Sequence, residues 1–395
     1  MASIPSSPLS IIEAPQSPRE VATVLAEAVA SGSAVSPVGG GTKLAFGNPL
    51  SRETVALSTA KLDRVLAYEP DDMTLSVEAG ATMASVWNLL GERGLTIPID
   101  VPNPETETIG GLVATGLCGP RRFGSGSLRD ALIGIQAAYP DGTLGNAGGM
   151  VVKNVSGFDL MRMHLGALGT LGVIVSANFK VVPAARAEAT VLVDRETIEQ
   201  LEGDRLAVHA GRIRPISYEA FRTGDHWTEA IRIEGRPATV DQMARELADR
   251  LGSASTLTTD ESRQYWVDYV RQEAFPDDPK TLTLQMRGRP SEVVATIASA
   301  LSAFGNVDEI RASLGLGTVR LMVASEEASS QAQVAAIASS RSSGRNVLLL
   351  TAPKAVHEKA DAFGTPESNL ELMRQLKRQF DPWSALNPGR VIPEL

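Results

Sequence analysis

Val21, Val24, Leu25, Ala28 and Val29 recur at helical spacing behind Ser17-Pro18. That predicts a helix with Ser17 as N-cap, Glu20 completing a capping box and Gly32 as its stop. Short apolar runs at 34–38, 54–57, 64–68 and 75–78 predict strands. A second amphipathic helix is expected over 83–93, with Val86, Leu89 and Leu90 on one face. Strands follow at 131–139 and 173–182, with a helix over 159–165 between them. Near the C-terminus, Leu372, Met373, Leu376 and Phe380 predict a helix over 370–380 that turns those four side chains inward.

Glycine-rich stretches break this pattern. The strand at 34–38 runs into Gly39-Gly40-Gly41-Thr42-Lys43. Neither the GxxxxGK[ST] spacing of a phosphate loop nor the GxGxxG dinucleotide fingerprint fits there. The stretch Thr106–Gly126 holds six glycines, with Ile109, Leu112, Val113 and Leu117 set among small residues. Backbone without a Cβ can come close to a ligand, and consecutive N–H groups can form an anion nest. The apolar anchors predict a loop held in place around such a ligand. Pro98, Pro102 and Pro104 make its approach extended and stiff.

From about Ala184 glycine thins out and βα units take over. Residues 231–252 and 284–305 echo one another, each a strand, a Gly-Arg-Pro turn and a helix closed by glycine. Two such units on one antiparallel sheet predict a ferredoxin-like α+β layer. The whole is expected to be α+β: a flexible Ser/Pro-rich segment 1–16, a glycine-rich domain 17–185, a ferredoxin-like cap 186–365, and a C-terminal helix and tail 366–395. Unaided, the tail's Asn387-Pro388-Gly389 reads as a surface turn.

At 395 residues the chain can bury a large core, and its net charge of −9 argues against nucleic-acid or anionic-membrane binding. The single cysteine, Cys118, excludes an internal disulfide and a self-contained Cys-ligated iron–sulfur cluster. His164, His209, His226 and His357 lack metal-ligand spacing, so no metal site is expected. His164 reads as a packed helix residue. The N-terminus lacks the features of a secretory signal, and no apolar run is long enough to span a bilayer. The expectation is a cytoplasmic protein that meets a membrane only through partners.

Four segments, PVGGGTKLAFG (37–47), TIGGLVATGLCGPRRFGSGSLRD (108–130), GFDLMRMHLGALGTLGVI (157–174) and FDPWSALNPGR (380–390), resemble the vanillyl-alcohol oxidase/PCMH-type FAD-binding flavoproteins. GLCGPRR and VVKNVSGFDLMRMHLGALGTLGVI resemble most the branch that supplies FAD-binding subunits to bacterial glycolate oxidases. The resemblance implies a two-lobed FAD-binding domain plus a cap, with the tail returning to the FAD site. It implies that Pro37, Gly39, Gly40, Gly41, Thr42, Lys43 and Leu44 wrap the FAD pyrophosphate. Pro102, Thr108, Ile109, Gly110, Gly111, Ala114, Thr115, Gly116 and Gly119 would line the rest, with Gly110 and Gly111 at the closest approach. Val173 and Ile174 would face the adenine side, and Asn387 the isoalloxazine. No His or Cys is obviously placed for a covalent link, so the FAD is expected to be non-covalent, with Cys118 a small core residue.

Related 2-hydroxyacid dehydrogenases carry an HxGDGNxH motif in their C-terminal half, and this chain has none. Arg212, Arg214 and Arg287 are possible cations for a substrate carboxylate, but no base stands out, so no catalytic residue is assigned. The reading is an FAD subunit acting beside a paralogous flavin subunit and an iron–sulfur subunit, on a small hydroxy acid such as glycolate. The alternatives are a free-standing FAD oxidoreductase and a degenerate structural subunit. Arg121-Arg122 reads as a solvated pair, or else as contacts to the FAD phosphates or a partner.

Overall fold

The structure, a computed structural model, describes residues 12–150, 160–252, 254–276, 280–305, 307–324, 329–364 and 367–395. The segments 1–11 and 151–159, the latter including the start of the third motif and of the helix expected over 159–165, lie outside the described residues. The chain divides into two compact units: 1–118, 127–184 and 365–395 form the first, and 119–126 and 185–364 the second.

In the first unit, strands β1 (Ile12–Glu13), β2 (Ala34–Val38) and β3 (Thr54–Ser58) make a parallel sheet in the order β1-β3-β2. Strands β4 (Val65–Glu69) and β5 (Thr74–Glu78) precede β6 (Leu95–Thr96), β7 (Leu132–Ala138), β8 (Leu144–Gly148), β9 (Val173–Lys180) and β10 (Val182–Pro183). Five of these form an antiparallel sheet ordered β4-β5-β9-β7-β8, and β10 pairs with β6. Helix Pro18–Ala30 buries Val21, Ala22 and Leu25 in one cluster with Val35 and Leu57 of the parallel sheet and Ala138, Val173 and Val175 of the antiparallel one. Ser17 does cap that helix, accepting from the Glu20 N–H at 3.2 Å. The Glu20 carboxylate closes on the Gln16 N–H at 2.8 Å, one residue before the position a capping box requires.

The stretch expected to be a glycine loop is in part a helix. Ile109–Thr115 is helical, capped by the Thr108 side chain and ended by Gly116 at φ 62°. Ile109, Leu112 and Val113 are one helical face, and they are buried over the antiparallel sheet with helix Met83–Gly91. The C-terminal helix, Glu367–Phe380, also departs from expectation. Leu372 is exposed, whereas Lys377 is buried. The Lys377 ammonium is satisfied by the Thr170 and Leu386 carbonyls (2.9 and 2.8 Å) and the Asp381 carboxylate (2.6 Å), which is how a charge at that position is tolerated. Asp381 in turn accepts from the Ala385 and Leu386 N–H groups. This knot bends the tail back so that Leu386 bridges to Val35 on β2.

The second unit is an eight-stranded antiparallel sheet. Its strands are β11 (Ala187–Arg195), β12 (Ser217–Thr223), β13 (His226–Gly235), β14 (Ala254–Leu257), β15 (Thr281–Arg287), β16 (Glu309–Ser313), β17 (Thr318–Ala324) and β18 (Asn346–Thr351). Their order is β14-β11-β13-β12-β16-β17-β15-β18. The path β11, helix Ile198–Ala210, β12, β13, helix Pro237–Leu251, β14 is a βαββαβ unit. The path β15, helix Val293–Phe304, β16, β17, helix Ser330–Ser342, β18 repeats it, and the copies join through β12 and β16. The Gly-Arg-Pro echo therefore pairs the second βα step of one copy with the first of the other. The sheet face under these helices is the core. The opposite face is polar yet buried, carrying Glu188, Thr190, Glu219, Arg232, Arg311 and Ser313. There Arg232 meets Glu188 at 2.8 Å, and the Arg311 guanidinium lies 4.5 Å from the Tyr269 ring centroid.

Candidate functional site

A cleft of about 600 Å³, open mouth included, lies within the first unit at the end of β2. The loop after β2 makes one wall through Gly39, Gly40, Gly41, Thr42, Lys43 and Leu44. This loop is held by close packing against the chain before helix Ile109–Thr115. A Cβ on Gly40 would stand 1.6 Å from the Thr106 carbonyl oxygen, and one on Gly39 would stand 2.1 Å from Thr108 Oγ1. Gly41, at φ +73°, would meet only Leu44 Cδ1 at 3.8 Å. The glycines thus serve two purposes. Gly40 allows close contact with backbone and Gly39 with the Thr108 side chain, and Gly41 allows the turn. Among the described residues, the N–H groups of Gly40, Gly41 and Thr42 meet no protein acceptor.

Thr108, Gly111, Ala114 and Thr115 line a second wall, and Pro37 and Asn387 also face the cleft. Asn387 is a bracket rather than a surface turn. It is buried at φ 41° and accepts from Ser36 Oγ at 2.7 Å, while its amide donates to the Leu168 carbonyl at 2.7 Å and its N–H to Val35.

Other expected contacts are placed elsewhere. Ile109 packs in the core, and Gly110 lies against Ala79, whose oxygen accepts its N–H at 2.7 Å. Gly116 caps its helix, Pro102 stands in the extended approach, and Val173 and Ile174 are buried in β9. Gly119 falls in the second unit, where the 119–126 segment is fixed by Arg121 paired with Glu234 (2.5 Å) and by the Gly124 N–H on the Ile216 carbonyl (3.0 Å). Arg121 is therefore an ion-pair anchor. Arg214 donates to the Gly211 and Ile213 carbonyls, Arg287 donates to Gln285, and Arg212 is exposed.

Ser36, Phe46, Glu107, Leu168 and Arg390 are among the lining residues that the expected contacts did not include. Glu107, almost fully buried, is ion-paired with Lys43. Burial pushes the Lys43 ammonium below its usual range, and Glu107 pulls it back up. Arg390 was visible only as the end of the tail motif. His164 is buried against Tyr139, with Nε2 3.1 Å from the phenol oxygen, and burial drives its pKa down to about 4. Neither it nor Cys118 lines the cleft. No group of three or more metal-ligating side chains, and no helix long and apolar enough to cross a membrane, occurs among the described residues.

Free backbone donors and one unneutralised cation in a cleft walled by small residues suit a dinucleotide with a diphosphate at its centre. Residues 9–158 match the family described as FAD binding domain. Over 362 residues the chain is 28% identical to glycolate oxidase subunit GlcE of Escherichia coli (strain K12), covering 90% of this chain and 92% of that one. It is 26% identical over 425 residues to D-lactate dehydrogenase of Archaeoglobus fulgidus, covering 98% and 92%. Over 174 residues it is 34% identical to D-2-hydroxyglutarate dehydrogenase of Xanthomonas citri pv. viticola, covering 44% and 37%. The solved structure of alkyldihydroxyacetonephosphate synthase superposes with a TM-score of 0.70 over 95% of this chain and 75% of that one, at 17% identity, a likeness of fold. With that FAD binding domain over 9–158 and these relatives, the chain is an FAD-dependent oxidoreductase.

Proposed function

We propose that this chain is the FAD-binding subunit of a glycolate (2-hydroxyacid) oxidase complex and binds its FAD without a covalent link. The likeness to GlcE along nearly the whole of both chains carries the reading. The sequence supports it from the other side, since it lacks the His-rich motif of related dehydrogenases and offers no evident base for the substrate hydroxyl. A cleft lined by neither His nor Cys supports non-covalent binding.

Bound FAD supplies a two-electron acceptor that can release electrons singly. This chain's residues do the holding. The N–H groups of Gly40, Gly41 and Thr42 replace water around the diphosphate, and fixed dipoles spare the site the cost of reorganising solvent. Thr108, Gly111 and Thr115 keep the opposite wall low. Asn387, locked by Ser36 and Leu168, keeps the tail closed over the cleft. A single cysteine requires that any iron–sulfur relay sit on another chain. A paralogous flavin subunit is the proposed site of substrate oxidation, and the likeness to glycolate oxidase subunit GlcD of Bacillus subtilis supports such a partner.

The test is to purify the chain alone and in its native assembly, then measure flavin, iron and glycolate turnover with an artificial acceptor. The reading predicts flavin in both, with iron and turnover in the assembly only. Turnover of glycolate or D-lactate by the isolated chain would contradict it and favour a free-standing FAD oxidoreductase.

A further inference from the structure

Among the described residues, three charged side chains line the cleft: Lys43, Glu107 and Arg390. The first two neutralise each other. Arg390 has no such partner. Among the described residues its side chain makes one hydrogen bond, Nη1 to the Asn48 carbonyl at 3.3 Å, and no carboxylate pairs with it. Its guanidinium is sheltered enough that burial alone lowers its pKa to about 10, so it remains a cation at neutral pH. A half-buried charge without a counter-ion carries a desolvation cost, and a ligand of opposite sign offsets it.

The position of Arg390 indicates which part of the ligand that is. Its side chain lies against the end of the loop whose beginning presents the free N–H groups. A Cβ on Gly47 would stand 2.7 Å from Arg390 Cδ, and the Asn48 N–H donates to the Arg390 carbonyl at 2.9 Å. Loop 39–48 thus has open amide donors at one end and a guanidinium packed into the other. Building on the FAD reading above, we infer that Arg390 is the fixed positive charge that pairs with the diphosphate of the dinucleotide. Gly40–Thr42 supply neutral donors to the same group. The tail then does more than close the site, because it delivers the ligand's counter-charge.

The experiment uses the full-length apo chain and three probes: FAD, ADP, which has the diphosphate but no flavin, and riboflavin, which has the flavin but no phosphate. Arg390→Met removes the charge at similar volume, and Arg390→Lys keeps it. The inference predicts that Arg390→Met weakens FAD and ADP about 10- to 100-fold, the range for a charge-assisted hydrogen bond, and leaves riboflavin unchanged. Arg390→Lys recovers most of the loss, and the midpoint potential of bound FAD stays at the wild-type value. Unchanged ADP affinity in Arg390→Met overturns the inference. So does a shifted flavin potential with ADP binding intact, which would put the guanidinium at the isoalloxazine. If the Met chain melts below wild type, Arg390→Gln, which keeps a donor toward Asn48, is read by the same criteria. Wild-type protein that takes up neither FAD nor ADP would instead refute the flavin reading itself.

Discussion

Ser36 Oγ donates to Asn387 Oδ1 at 2.7 Å, joining β2 to a tail 351 residues further along the chain. Both side chains are buried and both residues line the cleft. Asn387→Ala would strand the Ser36 hydroxyl and the Leu168 carbonyl in a dry site. A loss of about 2–6 kcal/mol is expected in denaturant unfolding, at roughly 1–3 kcal/mol for each of the two orphaned groups. FAD retention should fall with it, because the tail that carries Arg390 is released.

The glycines of the cleft should separate by where their missing Cβ would point. Gly40→Ala meets the Thr106 carbonyl, so the loop must move, and apo stability is expected to drop by about 1–3 kcal/mol along with FAD binding. Gly111→Ala meets only Thr108 Oγ1, at 3.2 Å, in a helix where alanine is favoured by about 1 kcal/mol. Its apo melting temperature should hold or rise while FAD affinity falls, since the new methyl stands in the cleft. Calorimetry with and without FAD distinguishes the two patterns.

His164 gives a pH dependence of stability. Unfolded, it titrates near 6.5; folded, burial holds it near 4. Between those values only the unfolded chain binds the proton. The contribution of His164 is therefore full above pH 6.5 and is lost as pH falls toward 4, amounting to about 3 kcal/mol over the window. His164→Gln should flatten that part of the stability–pH curve, read by urea unfolding at pH 7 and pH 5. An unchanged slope would mean that His164 is protonated in the native state.

What the sequence made legible follows from local rules. Helix Pro18–Ala30 and the early strands are signalled by spacing and capping, and the cap's α+β layer by its βα rhythm. The Gly-rich stretch was misjudged because glycine content outweighed the i, i+3, i+4 placement of Ile109, Leu112 and Val113. Lys377 was missed because its burial depends on carbonyls from Thr170 and Leu386 that only the fold brings to it. The polar buried face of the second unit's sheet was hidden for a similar reason. Alternation along a strand shows which residues share a face, but it does not show that ion pairs such as Arg232–Glu188 let the polar side go dry. Arg390 stood in plain view, yet that no carboxylate among the described residues pairs with it is a three-dimensional fact.

The most direct test of the account is the flavin content of the purified chain. It should be yellow, with close to one FAD per chain, all released into the supernatant by acid or heat and identified as FAD by chromatography. Colourless protein that takes up no FAD on reconstitution would contradict the central claim, and flavin that stays with the precipitated polypeptide would contradict its non-covalent binding.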